Sequence, residues 1–308
     1  MKTPAVFLSA VLCAASAFGA ASAPKVPEKE NYGILLLAHG GGAEWDAQIS
    51  SLTAAVNAKI PTEAGLGMAD PAALQGALDR LAARGVSRVI AVPFFVESHS
   101  EVLDQTRYVL GLSKKPSEVL RLAAKRMAAA MPKMAMHHHM FSLERVKTKL
   151  PITLTAALDG DALVSKILLE RARALSRDPK TETVILVAHG PVDDAAMGPW
   201  NAALAKHADD LRRDGGFRTV SFGVLRDDAA PPVRAASVAA LRARVASGAK
   251  DGRTIVVPVL IARGGIEGKL PHDLDGLTYA WDGETLLPHD GFDEWVLSKA
   301  AAAAKTAP

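Results

Sequence analysis

The sequence points to two tandem α/β domains, each on a small parallel sheet, on three grounds. Residues 33–38 (Gly-Ile-Leu-Leu-Leu-Ala) form an unbroken apolar run ending in His39-Gly40, and residues 183–188 (Thr-Val-Ile-Leu-Val-Ala) repeat it before His189-Gly190, 150 residues later. Arg88-Val-Ile-Ala-Val-Pro93 recurs as Arg253-Thr-Ile-Val-Val-Pro258, offset by 165. Matched landmarks in one order indicate duplication, and runs without alternation suit strands buried on both faces of a parallel sheet. Between the runs the apolar period becomes helical, and strand–helix alternation means sheets covered on both sides.

Taken in order, residues 1–23 read as a secretory signal: Lys2, an apolar run from Ala5 to Phe18, then the small residues Ala21-Ser22-Ala23. Cleavage there leaves Pro24 as the first mature residue, with a cut after Ala21 as the alternative, and the expected destination is periplasmic or secreted. The run is short and alanine-rich for a spanning helix, and a membrane anchor or a lipoprotein at Cys13 is the alternative to cleavage. After the first strand, Ala72–Ala83 places Leu74, Leu78 and Leu81 on one face and Gly85 stops the helix. The strand from Arg88 follows, then an irregular stretch over 111–150. Asp159-Gly160 precedes a helix carrying Leu163, Ile167, Leu168 and Leu175. The domain boundary is expected at Asp178-Pro179, giving domains 24–178 and 179–308. In the second, Pro231-Pro232 start a helix over Val233–Val245, the strand from Arg253 follows, and 301–308 read as a frayed tail.

The 308 residues are 49% apolar, ample for two cores. With 36 basic and 33 acidic residues the net charge is +3, which supplies no electrostatic footprint for nucleic acid. Cys13 is the single cysteine and lies in the signal segment, so a cleaved chain has neither disulfide nor thiolate chemistry.

Ligands of open parallel sheets sit at the carboxyl ends of strands. His39 directly follows its strand and His99 lies a few residues beyond Phe94-Phe95. On neighbouring strands, two such imidazoles make a divalent-metal site or supply a base near neutral pH; the alternative is strand-end histidines bonded only to backbone. A lipase-type oxyanion loop at His39-Gly40-Gly41-Gly42 would need a Gly-x-Ser-x-Gly elbow, which is absent, and a phosphate cradle would need the Walker Lys-Ser/Thr. No nucleotide is expected.

The strand ending Ala38-His39-Gly40-Gly41, the later Val92-Pro93-Phe94-Phe95 and the following Ser98-His99-Ser100-Glu101 resemble the sirohydrochlorin/cobalt chelatase family, the class II tetrapyrrole chelatases. Thr153–Gly160 resembles its fourth-strand segment, and its long members carry two domains in tandem. The resemblance spans nearly all of 32–295 through short motifs. It implies two three-layer α/β/α chelatase-like domains facing across a cleft, and ATP-independent insertion of a divalent metal (Co2+ foremost, Fe2+ or Ni2+ otherwise) into a sirohydrochlorin-type tetrapyrrole. It implies His39 and His99 as metal ligands and base, Glu101 as an acidic helper, and Gly40, Phe94, Phe95 and Ser98 against the macrocycle. The second half keeps His189, but Arg263-Gly264-Gly265-Ile266 has no histidine, with His272 further along. One competent site, in the first half, is the expectation. Glu97-Ser98 stand where the family has glycine. Export also departs from a cytoplasmic biosynthesis, so a non-catalytic metal or tetrapyrrole carrier is the rival reading.

Met131 to Met140 concentrates Met136, His137, His138, His139 and Met140, a thioether–imidazole set suited to Cu, Ni or Co. Asp193-Asp194 read as a helix cap, Arg226 as a contact for substrate carboxylates or a surface ion pair, Trp281 and Trp295 as packing, and His207 as solvated. The oligomeric state is left open.

Overall fold

Strand β1 (Tyr32–Ala38) is the centre of a parallel sheet ordered β2-β1-β3-β4, with β2 at Thr62–Leu66, β3 at Arg88–Pro93 and β4 at Ile152–Leu154. A second parallel sheet is ordered β6-β5-β7, from β5 (Thr183–Ala188), β6 (Thr219–Val224) and β7 (Thr254–Val259). This computed structural model describes residues 31–116, 118, 121 and 144–306. The expected signal segment and the Met136–Met140 tract lie outside them.

The repeat seen in the sequence is a repeat of register. Leu37 of β1 stands opposite Pro93, and Val187 of β5 opposite Pro258. A proline in a central strand lacks a ladder donor, yet here the loss falls where the ladder ends. Phe94 N–H donates to the Leu37 carbonyl at 2.8 Å, so the donor missing from Pro93 faces β4. Pairing with β4 is already over, its last partner being Leu154 opposite Ala91. In the second sheet a single Ile255–Ala280 bridge stands in place of a fourth strand.

The described helices are α1 (Ala43–Asn57), α2 (Pro71–Ala83), α3 (Glu101–Val109), α4 (Ala162–Leu175), α5 (Met197–Gly215), α6 (Pro231–Asp251), α7 (Ile266–Asp273) and α8 (Gly291–Thr306). Their starts follow local chemistry. Asp70 caps α2 by accepting from Ala72 N–H, with Pro71 at the first helical position, and Asp161 caps α4 by accepting from Leu163 N–H. Asp193 also serves as a cap, for a short 3-10 turn before α5.

Three apolar clusters order the layers. Leu35 and Leu37 face α2 on the outer side of the first sheet. Ile185 and Val187 face α6 and α7 on the outer side of the second. The alternate residues Ile34, Leu36, Val184 and Leu186 face one shared core holding α1, α4, α5 and α8. Chain order is crossed there: α4 packs on β7, and α8 packs on β3 and α1. The expected frayed tail is corrected on this point, since α8 continues to Thr306 and Ala300 and Ala304 are buried. Among the described residues no helix is long and apolar enough to cross a membrane.

Two core helices repeat one another. Helix α1 buries Trp45, Ile49, Leu52 and Val56, and α5 buries Trp200, Leu204, His207 and Leu211 at the same spacing. His207 thus stands where α1 carries leucine. The expectation that it is solvated is corrected: it is 1% exposed, because its helix face is turned into the shared core.

Candidate functional site

His39 and His189 leave their strands in the same way. A glycine follows each in the left-handed region (Gly40 φ 73°, Gly190 φ 77°), which folds its carbonyl back onto the imidazole. Nδ1 of His39 lies 2.5 Å from Gly40 O and Nδ1 of His189 lies 2.6 Å from Gly190 O. A carbonyl only accepts, so Nδ1 carries the proton and Nε2 is presented at the strand end, the arrangement typical of a metal-binding imidazole.

From there the two differ. Nε2 of His189 lies 3.0 Å from Asp228 Oδ2. Burial works against a charge on His189, but the Asp228 carboxylate and the Gly190 carbonyl outweigh it and raise its pKa above the ordinary value. Asp228 is correspondingly lowered, first by its bond to His189 and also by the nearby His39 imidazole. His189 therefore donates from both nitrogens and keeps no lone pair. His39 is exposed, and among the described residues its Nε2 has no hydrogen-bond partner.

His99 lies at the carboxyl end of β3, the hydrogen-bonded neighbour of β1. Its ring is 64% exposed, while Nδ1 lies 2.8 Å from Oε1 of Glu97, whose side chain is 3% exposed. Burial raises the Glu97 pKa, the bond to His99 opposes this, and the charge of Asp159 adds to the rise. The acid backing His99 is thus Glu97, not the expected Glu101. Glu101 is the first residue of α3, after the cap Ser100. In the sequence Glu97 stands out only as a departure from glycine, although an acid two residues before a histidine in a tight loop is a usable signal.

The loop is stapled to the end of β4. Ser98 N–H donates to Asp159 Oδ1 at 2.6 Å, Ser98 Oγ donates to Asp159 Oδ2 at 2.9 Å, and Ala157 N–H donates to Ser98 Oγ at 2.9 Å. Ser98 is occupied holding the loop, which corrects its expected place against a macrocycle. Phe94 is likewise corrected to a core residue: it is fully buried, with Phe292 edge-on at 5.0 Å and Trp295 at 6.1 Å. Phe95 is half-buried against the outer cluster of the first sheet. Arg226 is buried on the Pro191 and Val192 carbonyls and Asp194, which leaves it no substrate carboxylate.

The second half closes the equivalent place. The matched prolines put Gly264 where His99 stands, and a Cβ on Gly264 would lie 3.0 Å from Cδ1 of Trp45. Reciprocally, Trp200 Nε1 donates to the His99 carbonyl at 3.3 Å. His272 is exposed in the last turn of α7. Among the described residues no three His, Cys, Asp or Glu side chains converge to hold a metal ion. Two cavities, of 210 and 340 Å3, lie away from both histidines, against β6 and beside Arg253 and Tyr279.

This fold is the chelatase fold. Among solved structures the chain is similar to SirB from Bacillus subtilis with Fe3+, at 12% identity and TM-score 0.57, over 89% of this chain and 96% of that one. It is also similar to CbiX, the terminal enzyme for biosynthesis of siroheme in denitrifying bacteria, at 15% identity and TM-score 0.52, over 88% and 99%. A third, DR2241 from Deinococcus radiodurans, a multi-domain protein with structural similarity to chelatases, is 20% identical with TM-score 0.50, over 88% of this chain and 55% of its own. No protein-family model and no curated protein sequence matches the chain.

Proposed function

We propose that the protein inserts a divalent metal, Co2+ foremost and Fe2+ or Ni2+ otherwise, into a sirohydrochlorin-type tetrapyrrole without ATP, at one site in its first half. The observation that carries this is the pair of strand-end histidines with opposite fates. His39 offers Nε2 freely, whereas His189 is held by Asp228. Chelation replaces two pyrrole N–H protons by M2+, so the site must bind the ion weakly enough to release it and must accept protons. Two imidazoles in an open site suit the first need. Glu97 behind His99 suits the second: it orients the ring through Nδ1 and stabilises the imidazolium formed when Nε2, freed as the ion passes to the macrocycle, takes one proton, the other going to Nε2 of His39 freed in the same way. The likeness in fold to SirB, which is solved with Fe3+, and to CbiX, the terminal enzyme of siroheme biosynthesis in denitrifying bacteria, supports the substrate class. From the signal-like segment 1–23 we also infer export, which N-terminal sequencing of the mature protein tests.

The experiment follows metallation of sirohydrochlorin by Co2+ anaerobically, through the absorbance change. Insertion is expected beyond one equivalent, to be abolished in His39→Ala and in His99→Ala, and to survive largely in His189→Ala. Stoichiometric uptake without turnover favours the carrier instead, and equal loss in His189→Ala overturns the one-site reading.

A further inference from the structure

We propose that His207, in the second half of the chain, is a positioning residue for His99 in the first, acting through Asp159 and Ser98. His207 fills a core position with the wrong kind of residue. Leu52 of α1 and His207 of α5 occupy equivalent places on equivalent buried faces, so packing alone calls for an aliphatic side chain at both. An imidazole there is retained against the cost of burying it. What it does is visible: Nε2 lies 3.1 Å from the Asp159 carbonyl, which fixes Nε2 as the donor. Nδ1 lies 2.7 Å from Ser165 Oγ, itself 2.7 Å from Asp210 Oδ2, and Lys206 and Arg213 hold Asp210.

Asp159 needs such a hold. Its φ of 46° places a residue with a Cβ in the left-handed region, a strained conformation that surroundings must maintain. In that conformation both carboxylate oxygens reach Ser98, one its N–H and the other its hydroxyl. Ser98 lies between Glu97 and His99, so the hold on Asp159 is a hold on the imidazole and its acid.

The second half of the chain is an internal control. There Ala262, Arg263 and Gly264 stand in the places of Glu97, Ser98 and His99, as the Pro93–Pro258 register requires. Leu286 N–H donates to Leu260 O as Leu158 N–H donates to Phe95 O, so Leu287 stands in the place of Asp159. Leu287 and Leu52 of α1 belong to one apolar cluster. The whole polar chain is present on the side that has His99 and absent on the side that lacks it, which a purely structural role for His207 does not explain.

The inference rests on His99 as a site residue, so its test includes a readout free of that reading. His207→Leu installs the side chain that α1 already uses, and His207→Gln keeps an N–H donor near Nε2. In the metal-free full-length protein, amide hydrogen exchange at Ser98 is expected to rise at least 10-fold in His207→Leu, with melting temperature maintained, and to stay near wild type in His207→Gln. Co2+ affinity should fall about 10- to 100-fold in the leucine variant and recover in the glutamine variant. Unchanged Ser98 exchange in His207→Leu overturns the proposal. Should that variant not fold, His207→Met against His207→Gln makes the same comparison at similar volume. Absence of Co2+ binding in the wild type would remove the metal reading of His99 alone, and the exchange comparison would still decide the role of His207.

Discussion

At the residue scale, ionisation separates groups that look alike in composition. Glu97 and Glu101 flank the same histidine, but only Glu97 is buried and bonded to it. Glu97→Gln keeps the shape and removes the charge. It is expected to lower insertion about 10²-fold or more, with Glu101→Gln near wild type, as steady-state kinetics would show. His207 gives a stability prediction with a definite sign. Burial lowers its pKa to about 4, against about 6.5 unfolded. Between those values the unfolded chain binds the proton and the native one does not, so stability falls as pH drops from about 6.5 to about 4, by about 3 kcal/mol in all. Urea titrations across that range should show the slope in the wild type and lose it in His207→Leu. His189 acts in the opposite sense, its raised pKa giving stability below about 6.5 that is lost as pH rises through the folded value.

Elements set where those residues stand. The β1–Gly40 and β5–Gly190 turns aim two imidazoles by a single left-handed residue each. Alanine at either position carries a left-handed penalty of about 1–2 kcal/mol. At Gly190 the added Cβ would also lie 2.7 Å from Val224 Cβ, whereas at Gly40 the nearest atom is Gly67 N at 3.3 Å. Gly190→Ala should therefore lower the melting temperature more than Gly40→Ala. Gly40→Ala should instead lose more insertion activity, because the carbonyl that orients His39 moves. These turns were legible in the sequence because a buried run ending in His-Gly is a local pattern. The pairing of Glu97 with His99 was within reach of the same reading, but choosing between two acids required knowing that α3 begins after Ser100 and carries Glu101 away.

For the whole molecule, the exchange of helices matters most. The sequence boundary at Asp178-Pro179 divides the two sheets, yet α4 before it covers β7 and α8 at the far end covers β3. Residues 24–178 produced alone would leave β3 without α8 and α4 without a sheet. Such a fragment is expected to lack cooperative unfolding and to bind hydrophobic dyes, and a sharp thermal transition in it would contradict the shared core. The same crossing explains why His207 belongs to the first-half site: α4 and α5 pack together, which brings Ser165 and Asp159 against α5.

Legible in the sequence were the buried runs that form β1, β3, β5 and β7, the tandem repeat, the two His-Gly turns and the places of His39 and His99 beyond the ends of their strands. Each of these follows from periodicity and from residues adjacent in the chain. Only the tertiary structure decided that Asp228 engages His189, that Asp159 clamps Ser98 from 61 residues away, and that His207 is buried 48 residues from the carbonyl it holds. The physical reason is that apolar burial repeats with the period of each element. Hydrogen bonds and charge depend instead on which elements meet, and a polar residue on an otherwise apolar face shows its partner only once the opposing helix is in place.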